Sequence, residues 1–349
     1  MNEAATVLKS YKGPKIRIME VCGTHTHEIF KLGIRQLLSD DIELISGPGC
    51  PVCVTSADYI DEACWLAREK ECVITTFGDL VKVPGIKSSM IKERGQGAQI
   101  NVVYSPQDAV LFAEKNPDRK VVFLSVGFET TTPSDVIAVK YAKEKGIKNF
   151  SILTANKTMP RAYEVLADST DCYLYPGHVH AITGTADCKA MLAKGTSGVI
   201  AGFTGPELLT ALAVAVKKCQ EGEPFLVNCY PRVVREEGAP AAMRLVNEFM
   251  EPCDALWRGI GVIPMSGMKL RDEFSEFDAR VKFAIPDMKE EYKTPCRCGE
   301  VLQGKIKPFE CPMFGKACIP DHPVGACMVS DEGACSAYYL YGGLIDNGR

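Results

Sequence analysis

Six of the sixteen cysteines in this 349-residue chain fall in one short stretch near the end: Cys296, Cys298, Cys311, Cys318, Cys327 and Cys335. They are set among Pro and Gly in CRCG, ECPMFGKAC and GACMVSDEGAC. A four-iron cluster takes four thiolates converging from an irregular segment, and this stretch has that texture. Six candidates compete for four places. Cys296 and Cys298 stand two residues apart, so their side chains diverge in an extended segment and one of them is expected to serve another task. Separate disulfides, or a zinc ribbon used only for docking, are the alternatives.

Three upstream cysteines extend the pattern. Cys22 follows a β-type run and opens CGTHTH, which places its sulfur at a strand end. With His25 three residues on, it can ligate iron or zinc, or the imidazole can lower the thiol pKa. Cys50 and Cys53 form the C-x-x-C of GPGCPVC, a spacing that closes a small disulfide ring or grips one metal. No second C-x-x-C completes a zinc site, so a redox dithiol or a transient metal grip is the better reading. The remaining seven, Cys64, Cys72, Cys172, Cys188, Cys219, Cys229 and Cys253, are scattered singly through apolar stretches and read as core filler.

All five histidines lie beside such motifs: His25 and His27 in CGTHTH, His178 and His180 in PGHVHA, and His322 among the tail cysteines. His178 joins the candidate site on that ground. In GFETTTP, Glu129 is a candidate base or anchor, while the threonines serve equally well as helix caps. Neither a phosphate loop nor a dinucleotide fingerprint occurs at a strand-helix junction.

The elements that must position these residues read as α/β. Short β-branched runs at 16–22, 42–46, 72–77, 100–104, 120–126, 149–154, 174–175, 198–201 and 224–229 alternate with amphipathic stretches at 56–70, 106–115, 133–145, 161–166 and 206–221. Nine strands fit two βα-type lobes around a central cleft better than one sheet. The expected domains are 1–131 and 132–231, followed by a smaller C-terminal iron-sulfur domain at 232–349 with a helix at 239–249. Several strands end in Gly-rich or polar turns, where open α/β sheets bind ligands.

With 40 basic and 44 acidic residues the formal charge is −4, and no basic run offers a nucleic-acid or polybasic membrane surface. The first residues lack the regions of a signal peptide, and no apolar run is long enough for a span, so the expected compartment is the cytoplasm. In a reducing compartment, clustered thiols are read first as metal-binding or redox-active.

Together, CGTHTH at Cys22, GPGCPVC at Cys50 and Cys53, TFGD at Thr76, GFETTTP at Gly127, PGHVHAI at Pro176 and CRCG through GACMVSDEGACSAYY resemble the HypD family of hydrogenase maturation factors. The motifs run from about residue 16 to 341, nearly the whole chain. The resemblance implies a redox-active assembly scaffold rather than a conventional turnover enzyme. It would build the Fe(CN)2CO unit of [NiFe]-hydrogenase with a HypC-type chaperone and a HypE-type cyanide donor. Cys22 would hold the iron with His25 close by, and Cys50 and Cys53 would be the redox pair. A [4Fe-4S] cluster would sit on Cys296, Cys311, Cys318 and Cys335, leaving Cys298 and Cys327 as a second pair relaying electrons. The competing function is an iron-sulfur thiol/disulfide oxidoreductase acting on a soluble or protein disulfide, which has no need of Cys22.

Overall fold

The computed structural model describes residues 3–288 and 294–342. The chain forms two compact units, each interleaved along the sequence. Unit 1 is Met1–Cys53, Pro160–Pro240 and Pro295–Arg349; unit 2 is Val54–Met159 and Ala241–Thr294. Neither corresponds to a consecutive segment such as 1–131, because strands distant in sequence pair in one sheet.

All nine expected strands are present, some trimmed at their ends: β1 Ile16–Glu20, β2 Ile42–Ser46, β3 Val73–Thr76, β4 Ile100–Val102, β5 Val121–Ser125, β6 Phe150–Thr154, β7 Cys172–Pro176, β8 Ser197–Ala201 and β9 Leu226–Asn228. Two more, β10 Met250–Trp257 and β11 Gly261–Leu270, form an antiparallel hairpin over a stretch to which the sequence pattern assigns no element. Pro252, Pro264, Gly261 and Gly267 hid it, since such residues break the alternation that marks a strand.

Unit 1 is built on a parallel sheet of order β2-β1-β7-β8-β9. Every residue of β7 is buried, as expected of a central parallel strand covered on both faces. Helix Gly205–Glu221 packs a stripe of Leu208, Ala211, Leu212, Ala215 and Val216 onto the sheet. It starts at a Thr204–Glu207 capping box and stops at Gly222, whose φ of 80° suits a residue without Cβ. The tail belongs to this unit and contributes the short helix Cys298–Leu302 and the helix Ala334–Tyr341.

Unit 2 carries a parallel sheet of order β4-β3-β5-β6 and the β10–β11 hairpin, with a core that includes Val121, Phe123, Phe150, Ile152 and Phe274. Among the described residues no helix is long and apolar enough to cross a membrane.

The sheet order of unit 1 locates its binding edge. From β1 the chain moves outward to β2 on one side, while β7, β8 and β9 extend on the other. The switch point lies between β1 and β7, the place where open sheets leave a crevice beyond their carboxyl ends. CGTHTH follows β1 and PGHVH follows β7, so both flank that crevice.

Candidate functional site

Cys22 is the N-cap of helix Gly23–Lys31, two residues beyond β1. Burial pushes its thiol up to about 11, opposed by hydrogen bonding to the His25 backbone, reinforced by the charge of Glu332, and opposed again by Thr24. The free thiol is therefore protonated at neutral pH, and binding a thiophilic metal must displace that proton. Backbone N–H groups of a helix start are already aimed at the sulfur to receive the negative charge.

The first turn of this helix is tied to the tail. Thr24 Oγ1 donates to Glu332 Oε1 at 2.6 Å, and His27 Nδ1 lies 3.1 Å from Asp331 O. Behind it, Glu20 on β1 is fully buried and accepts from Thr26 Oγ1 at 2.7 Å and from Ser46 Oγ at 3.2 Å, while pairing with Arg35 at 2.5 Å. Three elements are thereby locked around the strand end that carries Cys22.

His25 is fully buried, and its Nε2 lies 2.9 Å from Gly202 O, so Nε2 carries the proton. Its Nδ1 is buried without a hydrogen-bond partner, a lone pair held in reserve. Burial lowers the imidazole to about 4, against the carbonyls of Gly202 and Ala201 and with help from His178, so the ring is neutral at physiological pH. Phe203 stacks between the two rings, 4.5 Å from His25 and 3.7 Å from the exposed His178. The sequence reading missed Phe203 and Glu332. Phe203 had a signal, because GFTG after β8 is another Gly-flanked strand end; Glu332 had none apart from its place among the tail cysteines.

The loop after β2 brings in the C-x-x-C pair. A Cβ on Gly49 would stand 2.1–2.4 Å from the backbone of Cys22, so only glycine permits this approach of the two loops. Cys50 and Cys53 are both buried. Cys53 makes side-chain hydrogen bonds with Cys327 and with Cys50; the former lowers its pKa, but Cys50 and burial outweigh it and hold the thiol well above its usual range. Cys327 in turn contacts Cys298, which lowers its pKa, and Cys53, which with burial drives it well up. Four sulfurs thus stand in a row: Cys50, Cys53, Cys327, Cys298.

Cys298 and Cys327 also line a small cavity with Cys296, Cys311, Cys318, Cys335, Phe314, Gly325 and Met328. Among the described residues no charged side chain lines it. Among the described residues no group of three His, Cys, Asp or Glu side chains is arranged to hold a single metal ion. The thiols instead surround a space, which suits a polynuclear guest whose ligands stand apart. Two further features fit a thiolate-bound cluster. Val324 N–H donates to Cys318 Sγ at 3.3 Å, and a Cβ on Gly325 would intrude to 2.4 Å from Cys296 Sγ. Cys335 is pushed well up by burial and then by the mutual proximity of Cys298, Cys296, Cys318 and Cys311. Ligation by a cationic centre would relieve that accumulation of thiolate charge.

Of the expected site residues, Cys22, His25, His178, Cys50, Cys53 and all six tail cysteines lie in unit 1. Glu129 lies in unit 2, where its Oε1 accepts the Met159 N–H at 2.8 Å, and the Thr132 hydroxyl donates to Phe128 O at 2.9 Å at the start of helix Thr132–Lys145. His180 is a core residue: Nδ1 bonds Gly184 O at 2.9 Å and Nε2 meets Cys188 Sγ at 3.3 Å.

Comparison with known proteins shows the family to which the chain belongs. The family model described as HypD, hydrogenase formation hypA family, matches residues 2–342. The hydrogenase maturation factor HypD of Escherichia coli K12 is 40% identical over 348 residues, covering 98% of this chain and 93% of its own length. That of Rhodobacter capsulatus is 39% identical, covering 94% and 90%. The hydrogenase expression/formation protein HupD of Azotobacter chroococcum is also 39% identical, covering 93% and 89%. With the motifs in order and the similarity spanning almost its full length, the chain belongs to the HypD family of hydrogenase maturation factors.

Proposed function

We propose that this chain is the scaffold on which the Fe(CN)2CO unit of [NiFe]-hydrogenase is assembled, with Cys22 holding the iron and the thiol row delivering reducing equivalents. A HypC-type chaperone would share the iron, and a HypE-type protein would bring the cyanide. The observation that carries the reading is the continuity of Cys50, Cys53, Cys327 and Cys298, which runs from the loop packed on Cys22 to the cysteine-lined cavity.

Cys296, Cys311, Cys318 and Cys335 are the residues that would hold a [4Fe-4S] cluster. Bound there, such a cluster supplies electrons one at a time. The remaining chemistry belongs to the thiols. Suppose Cys50 and Cys53 are joined as a disulfide. The Cys327 thiolate attacks Cys53 Sγ, the Cys50–Cys53 bond breaks, and Cys50 leaves as the thiolate. Cys298 then attacks Cys327 Sγ and releases Cys53. Two electrons and two protons pass from the Cys298/Cys327 pair to the Cys50/Cys53 pair. Taking cyanide from a thiocyanate-type donor R–S–CN leaves RS− and CN− and consumes two electrons, the number one dithiol yields on closing to a disulfide.

Cys22 and its surroundings suit the cargo. Soft sulfur matches low-spin iron carrying cyanide and carbon monoxide, and cyanide nitrogens need hydrogen-bond donors, for which Thr24 and backbone amides of the Gly-rich loops are at hand. The competing oxidoreductase would use the same thiol row. The close approach of Gly49 to the Cys22 backbone favours the scaffold, because it joins the redox loop to a third thiol that a reductase would leave idle.

Trapping tests the relay. In a Cys50→Ser/Cys298→Ser double variant the first exchange can be neither reversed by Cys50 nor resolved by Cys298. Mild oxidation followed by digestion without reductant should therefore yield the Cys53 peptide joined to the Cys327 peptide, whereas the wild type should yield Cys50–Cys53. A variant in which Cys53 links to neither, or only to glutathione, would show that the row is not a path for exchange.

A further inference from the structure

We propose that Cys172 and Cys219 form a second dithiol that low-molecular-weight disulfides, such as oxidised glutathione, convert to an intrachain disulfide. It lies at the amino-terminal end of the unit 1 sheet and is independent of the thiols of the candidate site. Cys172 opens β7, and Cys219 lies in the last turn of helix Gly205–Glu221, which covers that strand. Both pack in the same apolar cluster, Cys172 within its core and Cys219 at its margin, with Cys229 beside them just past β9. Helix and strand pack directly on one another, and the two thiols lie close enough to perturb each other, while the Cys172 thiol donates to Tyr173 O at 3.6 Å.

Their environments differ in a way that assigns roles. Cys172 is fully buried, whereas Cys219 is partly exposed. The neighbouring Cys172 thiol draws the Cys219 pKa down, and the same proximity, with burial, holds Cys172 well up. Cys219 therefore meets the oxidant and Cys172 resolves from inside, the division seen wherever an accessible thiolate is backed by a neighbouring thiol. The Cys219 thiolate attacks one sulfur of the oxidised glutathione and expels a first glutathione thiolate. Cys172 then attacks Cys219 Sγ, expels the second, and gives up its proton to it. One disulfide forms, one is consumed, and two glutathione thiols leave.

The pair is remote from PGHVH. Cys172 and Pro176 stand at opposite ends of a five-residue strand, about 13 Å apart at a strand rise of about 3.3 Å per residue. Direct exchange with thiols at the carboxyl-end loops is thereby excluded, and the proposal stands whether or not the chain assembles iron. Its effect would be to staple the covering helix to the central strand.

The test uses the full chain, incubated with oxidised glutathione, blocked with iodoacetamide, digested without reductant and mapped by mass spectrometry. The wild type should yield the Cys172 and Cys219 peptides joined, two hydrogens lighter than their sum. Cys172→Ser should instead leave Cys219 carrying glutathione, and Cys219→Ser should leave Cys172 unmodified. Any of three wild-type results would overturn the proposal: Cys219 glutathionylated beside an alkylated Cys172, neither residue oxidised, or Cys219 joined to Cys229.

Discussion

Gly49→Ala tests whether the approach of the two thiol loops is built into the backbone. The added methyl would stand 2.1 Å from Cys22 N, 2.2 Å from Cα and 2.4 Å from C. Carbon contacts settle at about 3.5–4.0 Å, so the loops must part by roughly 1.5 Å, and the obstructing atoms are backbone with no rotamer to relieve them. Overpacking of this kind costs about 1–3 kcal/mol or more. For a unit of this size each kcal/mol lowers Tm by about 2–4 °C. The functional loss should be larger than the stability loss, since displacing reacting groups by about 1 Å can cost on the order of 100-fold. The assay pairs thermal unfolding of the full chain with hydrogenase activity in cells that depend on the variant for maturation. Gly95→Ala is the control: its Cβ meets nothing within 4 Å and it should be silent in both. A Gly49→Ala protein that melts with the wild type and supports full maturation would refute the argument that Cys22 and the C-x-x-C loop act as a packed pair.

Glu20→Gln should destabilise by about 3–5 kcal/mol, because it leaves Arg35 facing a neutral partner in a buried network, as chemical denaturation would show. Asp171→Asn, which removes the exposed charge pair with Arg17 but keeps an amide oxygen able to accept the Arg17 backbone N–H, should cost less than about 1 kcal/mol. His180 gives an acid-side signature. Burial holds it at about 4, below its ordinary 6.5, despite the Gly184 carbonyl, so the unfolded chain binds the proton first. The stability it contributes is whole above pH 6.5 and is lost as pH falls through 4, about 3 kcal/mol in all, and His180→Gln should flatten unfolding free energy across that window. Asp135 has the opposite sign. Burial raises it from 3.8 to about 7 against hydrogen bonds from Ser125 and Asn156, so its contribution is present below pH 3.8 and declines as pH rises through 7. Asp135→Asn should abolish that decline, measurable as a smaller stability difference between pH 5 and pH 8.

Local pattern made much of this molecule readable. The β-branched runs gave β1 to β9, and the Gly-flanked turns after β1, β2 and β7 marked the residues that unit 1 gathers at one edge of its sheet. What stayed hidden depended on partners distant in sequence. That β1 pairs with β7 rather than with β3 is set by long-range burial, which no periodicity shows, and for that reason the units interleave. The β10–β11 hairpin was masked by its prolines and glycines. Phe203 became visible only when β8 was found beside β7, bringing a ring between His25 and His178. Cys172 and Cys219 looked like isolated core residues because 47 positions separate them; the helix crossing β7 is what joins them.

The central claim is that Cys22 holds iron while the tail thiols hold a cluster. The most direct test is iron and sulfide counting with infrared spectroscopy on anaerobically purified wild type, Cys22→Ala and Cys311→Ala, each produced with the other maturation proteins. The account predicts about four iron and four sulfide in the wild type, kept in Cys22→Ala and lost in Cys311→Ala. It also predicts additional iron with cyanide and carbonyl stretching bands in the wild type that vanish in Cys22→Ala. Bands that persist without Cys22, or a colourless wild type containing zinc, would contradict it.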